Sequence, residues 1–248
     1  MKNRMGSVLA LLTLLAIPPA AVAQATQQRE TAKTQATTRT PDLSGVWAIA
    51  GFGEGRRREP LPLTQWATDL YEYNRDPRPG GENRGRIELD PRAGKDCFPP
   101  SPNFLMSYQD PFQIIHVSPN QVLLLFEYDH WTRQIWLNEE RPDFVDLTWM
   151  GNSIGKWDGD TLVVDTVRMH DGSWFDGAGH VRSTELHMVE RFKRVKQDRL
   201  EIDFTFDDPK AFTRPWSEKR AYNLKPDWKI LERVYCDSRF QKDIYDQQ

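Results

Sequence analysis

The chain lacks the short motifs that announce the commonest enzyme classes. No G-x-S-x-G elbow, HExxH helix, phosphate loop or dinucleotide fingerprint occurs in it, which disfavours the usual hydrolases, zincins and nucleotide-dependent enzymes. Basic excess is missing as well: 33 Lys and Arg face 36 Asp and Glu, for a formal charge of -3. A nucleic-acid partner is therefore not expected, because such proteins carry a basic face for the phosphates. The run Arg56-Arg57-Arg58, set between Gly55 and Glu59 without aromatics, reads as a solvated loop. Beyond the N-terminus no apolar run approaches the roughly 20 residues needed to span a bilayer, so no stable membrane insertion is expected. Cysteine is scarce, with only Cys97 and Cys236 present.

What is present begins with a secretory signal. Lys2 and Arg4 form a positive start, and Val8 to Ile17 is an apolar stretch of ten residues. Ala21-Val22-Ala23 then offers small residues at the positions a signal peptidase accepts. A cut before Gln24, or alternatively after Ala25, leaves a periplasmic or secreted protein. Losing Lys2 and Arg4 moves the formal charge from -3 to -5. In that oxidising setting Cys97 and Cys236 become candidates for a disulfide. Residues 24 to 41 hold no aromatic side chain and read as a disordered linker. Residues 42 to 248 are left as one domain.

That domain reads as mainly β. Leu43 to Ala50, Phe112 to Val117, Gln121 to Tyr128 and Thr132 to Leu137 are expected strands. Leu63 to Asp76 is the one expected helix, capped by Thr64, and Pro77 to Asn103 is a long loop. Asp158-Gly159 between alternating apolar runs predicts a tight hairpin turn with two positive-φ residues. A second hairpin joins Glu185–Val195 to Arg199–Phe206, and Trp216 to Leu224 and Lys229 to Cys236 complete a meander. Successive antiparallel hairpins predict an up-and-down, lipocalin-like barrel, whose closure removes exposed edges.

Two resemblances support the barrel. Gly45-Val46-Trp47 resembles the G-x-W of lipocalin-like folds, which implies that Trp47 plugs one end beneath an arginine of the final strand, Arg233 or Arg239. The segments Phe126 to His130, Thr148 to Gly155, Trp157 to Thr166, Val189 to Phe192 and Asp207 to Trp216 resemble a largely uncharacterised family of secreted bacterial proteins. That resemblance implies export and a single β-rich domain, and it implies no reaction. Members of the family tend to carry His where this chain has Asn152.

Three groups of residues carry candidate chemistry. Glu127, Tyr128, His130 and Arg133 close an apolar strand, where a carboxylate at the mouth of a cavity is a setting for proton transfer; equally, Glu127 and Arg133 form a structural pair. The Gly-rich loop from Met169 to Glu185 carries His170, Asp171, Trp174, Asp176, His180, Ser183 and Glu185, and a connection of that length is often a binding loop. Glu185 and His187 share a strand face and, with His180 or His130, offer mixed ligands for zinc or iron. Leu186 and Met188 alternate with them, which favours a solvent-facing stripe instead. Trp149 offers an aromatic wall.

The expectation that follows is a barrel binding a small, partly apolar organic molecule and performing cofactor-free acid-base chemistry as a lyase, isomerase or hydrolase. Glu127, His130, His180 and Glu185 are its candidate acids and bases. Arg133 and Asn152 are candidates for holding an oxyanion, with Tyr128, Trp149, Asp171 and Trp174 around the ligand. The alternatives are a non-catalytic carrier of a small hydrophobic ligand and a metal-dependent barrel enzyme.

Overall fold

The computed structural model describes residues 41–51, 60–75 and 98–233. The signal segment, residues 24–40 of the linker, Arg56–Arg58, Cys97, Cys236 and Arg239 lie outside them, and so does the expected disulfide. All nine strands belong to one compact unit that begins at Pro41.

The strands close into one barrel in chain order. They are β1 (Gly45–Ile49), β2 (Phe112–Ser118), β3 (Gln121–Phe126), β4 (Thr132–Leu137), β5 (Asn152–Asp158), β6 (Thr161–Val167), β7 (His187–Lys196), β8 (Arg199–Asp207) and β9 (Trp216–Leu224). Helix α1 (Gln65–Arg75) and the single turn α2 (Pro102–Leu105) fall between β1 and β2. Thr64 accepts the Ala67 N–H at 3.3 Å and so caps α1, as its sequence suggests.

One feature departs from a purely antiparallel meander. A closed barrel with antiparallel neighbours throughout needs an even number of strands, so nine strands require one parallel pair. That pair is β4–β5, with Trp136 opposite Ile154. Its crossover is residues 138–151, in line with the dozen or more residues such a connection needs. Arg141 and Arg168 fasten it to the wall by hydrogen bonds to the carbonyls of Asp165 (2.8 Å) and Val145 (3.0 Å).

Closure has a second consequence. β9 pairs with β1, Ile49 opposite Tyr222, so no sheet edge remains for the expected strand at Lys229–Cys236. Within 229–233 only Arg233 pairs, through a single bridge to Tyr128. The β5–β6 turn is likewise corrected by one residue. Asp158 pairs with Thr161, leaving Gly159-Asp160 at the turn, and of these only Gly159 takes a positive φ, 61°. A turn whose first residue alone needs that conformation places the glycine there.

Trp47 is fully buried and donates its indole N–H to the Leu43 carbonyl at 2.9 Å. Among the described residues, the arginine over its ring is not the expected Arg233. It is Arg194 of β7, 5.3 Å from the ring centre and hydrogen-bonded to the Asp42 carbonyl. Arg233 is engaged elsewhere, by Asp110.

Alternation decides what faces inward. Phe112 and Ile114, Val122 to Phe126, Ile135 and Leu137, Leu162 and Val164, Phe192, and Leu200 to Phe206 supply a continuous apolar core at every second position. The two ends then differ. Tight turns join the strands at the end nearest Trp47. The described residues 50–51, 60–75 and 98–111 of the β1–β2 connection, with residues 127–131, 168–186 and 208–215, emerge at the other end, which is the mouth.

Candidate functional site

The loop Arg168–Leu186 does not wave in solvent. Trp174 and Phe175 are buried, and Phe175 meets Phe206, Phe212 and Trp216 edge-on, with ring centres 4.9, 5.6 and 5.8 Å away. Arg182 ties the loop from within by donating to the carbonyls of Ser173 (2.8 Å) and Trp174 (3.1 Å). Buried Asp208 holds the next turn through the Ser183 N–H (2.7 Å) and hydroxyl (2.8 Å). The loop is thus a packed cover over the mouth.

Beneath it, residues 102–106 reach into the barrel. Arg220 of β9 donates to the Asn103 carbonyl, and the Tyr222 hydroxyl donates to the Met106 carbonyl at 2.9 Å. The Asn103 amide donates to the Phe175 carbonyl at 2.8 Å, stitching this segment to the cover. Arg220 also pairs with Glu218 and lies 4.6 Å over the Phe204 ring. Burial pushes the Tyr222 phenol well above its ordinary range, against the pull of Arg220. It is a neutral hydrogen-bonding group at any physiological pH.

A second inward charge pair begins only one strand away from β9, since Glu190 and Glu218 flank Phe204 of β8. Arg133 of β4 reaches across β5 and β6 to Glu190 of β7, and both side chains are fully buried. The guanidinium grips both carboxylate oxygens and also donates to Ser153 (3.2 Å) and Thr166 (2.8 Å). Such a two-pronged pair fixes direction as well as charge. Arg133 is therefore consumed by Glu190. The structural pairing of Arg133 with Glu127 does not form, because Arg133 lies opposite inward Leu124 whereas Glu127 follows the outward parity of Leu123 and Leu125.

The first candidate group lies on the outer wall near the mouth. Buried Glu127 accepts the Leu231 N–H at 3.1 Å and approaches Arg233 at 3.8 Å. His130 is exposed, at a positive φ of 53°, and its Nε2 meets the Leu231 carbonyl at 2.7 Å. Tyr128 packs edge-on to Tyr108. These residues hold the chain after β9 against the barrel.

His180 stands apart from them: among the described residues no hydrogen bond joins it to Glu127 or His130. Its Nδ1 lies 2.8 Å from Asp176, and Tyr71 of α1 stacks on its ring at 4.1 Å and 6°. Burial of Asp176 works against its charge, yet hydrogen bonds from His180 and from the Ala178 and His180 N–H groups hold the carboxyl below its usual range. Asn74, itself buried, anchors the Gly179 carbonyl at 2.8 Å. His180 is thus oriented from three sides, as a general base is.

The remaining candidates are dispersed. Glu185 and Asp171 are exposed. His187 bonds Asp165 at 2.6 Å on the outer face, and Asn152 accepts Arg141 at 3.0 Å beside it. Trp149 stacks on Phe98 (4.6 Å) and meets the tilted ring of His170 (4.7 Å). Among the described residues, no group of three or more His, Cys, Asp or Glu is placed to hold a metal.

Glu190, Glu218, Arg220, Tyr222 and Asn103 were not among the residues singled out from the sequence. A signal for four of them exists. In Met188-Val189-Glu190-Arg191-Phe192 and in Trp216 to Leu224, the alternate positions that carry apolar anchors also carry Glu190, Glu218, Arg220 and Tyr222. Asn103 had no such mark, since its loop has no period.

No family model and no curated protein matches the chain. Two solved structures, both variants of the fluorescent protein UnaG, are similar at 11% and 13% identity. They cover 75% and 73% of this chain and 97% and 95% of their own, each with a TM-score of 0.32.

Proposed function

We propose that the protein is an exported binding barrel that carries a small, partly apolar organic molecule beneath the covered mouth. One observation supports this most: in a mainly apolar interior, two ion pairs, Arg133–Glu190 and Glu218–Arg220, turn inward. Apolar side chains of similar volume close a barrel at less cost than buried ions. Groups retained there suit a ligand that must be oriented as well as enclosed. Nine strands also give a slightly wider interior than the eight that side chains alone just fill. The N-terminal signal pattern supports export.

A second reading, catalysis by acid-base chemistry, is favoured by the His180–Asp176 pair. His180 would accept a proton at Nε2 while Asp176 holds its other nitrogen.

Both readings are tested by titrating the purified protein with the neutral probe N-phenyl-1-naphthylamine and following its fluorescence. Saturable one-to-one enhancement is expected, and its absence contradicts the binding barrel. Ligand displaced from the protein and incubated with fresh protein separates the readings. Recovery unchanged supports the carrier, whereas conversion that His180→Gln abolishes supports the enzyme.

A further inference from the structure

The polar groups at the inner end of the cover specify what they lack. Asn103 is fully buried, and its amide oxygen has no hydrogen-bond partner among the described residues. The orientation of that amide is fixed, because its nitrogen donates to the Phe175 carbonyl at 2.8 Å. Two residues away in sequence the fully buried Ser101 hydroxyl is also unpartnered among the described residues. A buried acceptor left unsatisfied forfeits the hydrogen bond that water gave it in the unfolded chain. Arg220, whose guanidinium meets the Asn103 backbone, spends donors on that carbonyl and on Glu218, and a guanidinium has five in all. The place therefore asks for a group that donates to Asn103 and accepts from Arg220 or Ser101.

Charge narrows the class. Among the inward cations, Arg133 and Arg220 are matched by Glu190 and Glu218, while Arg194, beside Trp47 at the far end, is held by the Asp42 and Gln197 carbonyls. An ionised head group would add an uncompensated charge, and its oxygens would face an Asn103 oxygen that needs a proton donor. We propose that the ligand of this barrel bears a neutral head group that both donates and accepts a hydrogen bond, such as a primary amide, alcohol or phenol, and not an ionised carboxylate. This rests on the reading of the protein as a binding barrel.

The test compares molecules with one tail and different heads. Dodecanamide, 1-dodecanol and dodecanoate, each also with an octyl tail, compete with N-phenyl-1-naphthylamine at pH 8. The amide and alcohol are expected to displace the probe about a hundredfold more strongly than the carboxylate. Glu218→Gln, which keeps the shape of the side chain and releases Arg220 from its anion, is expected to shift the preference toward the carboxylate by about tenfold or more. Asn103→Ala weakens the amide about tenfold and leaves the carboxylate unimproved. Carboxylate binding equal to or tighter than amide in the native chain overturns the head-group assignment alone, as does an unchanged preference in Glu218→Gln. Probe binding that no member of the series displaces overturns it too. No probe binding at all overturns the barrel reading with it.

Discussion

Replacing Glu190 by Ala is expected to destabilise the protein by about 3–5 kcal/mol, because the Arg133 cation is left buried without its anion. The carboxylate is fully enclosed and engaged by two guanidinium nitrogens, so water cannot take its place without opening the wall. The pair itself is a different matter from the broken pair. Two charges withdrawn from water recover little more than their desolvation, and a double variant with Arg133→Met and Glu190→Leu is expected to regain most of the loss. Urea unfolding at unchanged m-value measures both. A loss below about 1 kcal/mol in Glu190→Ala would show that Arg133 reaches solvent. The interior would then be wetter than its burial indicates.

The second large effect concerns the cover. Phe175→Ala removes the ring that meets Phe206, Phe212 and Trp216, and is expected to cost about 3–5 kcal/mol as a buried aromatic truncation. Its consequence for binding is separate. The backbone of Phe175 receives the Asn103 amide at its carbonyl and donates to the His180 carbonyl at 2.7 Å. Loosening this residue frees the cover at two points. Dissociation of bound probe is expected to accelerate, with association little altered. Stopped-flow dilution reads this directly. An unchanged dissociation rate in a variant that has lost the stability would mean that ligands leave by another route.

The legible part of the fold was the part governed by local chemistry. Thr64 ahead of the α1 helix, Gly159 at a turn, and Leu200-Glu201-Ile202-Asp203-Phe204 in strict alternation each state their structure within a few residues. The parallel β4–β5 pair was not legible, because it follows from the count of strands around a closed ring and no single segment carries it. Arg194 over Trp47 was missed for a similar reason: the arginine is supplied by β7, distant in sequence, and only closure brings it there.

The site divides along the same line. His180 and Asp176 were visible as a cluster on one Gly-rich loop, and they do meet. Glu127 was read as facing a cavity because both faces of β3 are apolar. Which face turns inward is settled by register, and register put Leu124 inside and Glu127 outside. Glu190, Glu218 and Arg220 stand at inward parity on their strands, so their position could have been read by counting from Phe192 and Trp216. The reach of Glu190 across the wall to Arg133 of β4 could not. Asn103 depends on a loop entering the mouth, which no period announces.

The central claim, that the barrel is exported and carries a small organic molecule inside it, is most directly tested by native mass spectrometry of the full chain taken from the periplasmic fraction. The expected spectrum shows polypeptide trimmed before Gln24 or after Ala25, with one added small molecule that is released on unfolding and is lost from Phe175→Ala. A trimmed chain at its bare polypeptide mass, which also fails to take up N-phenyl-1-naphthylamine, would contradict it.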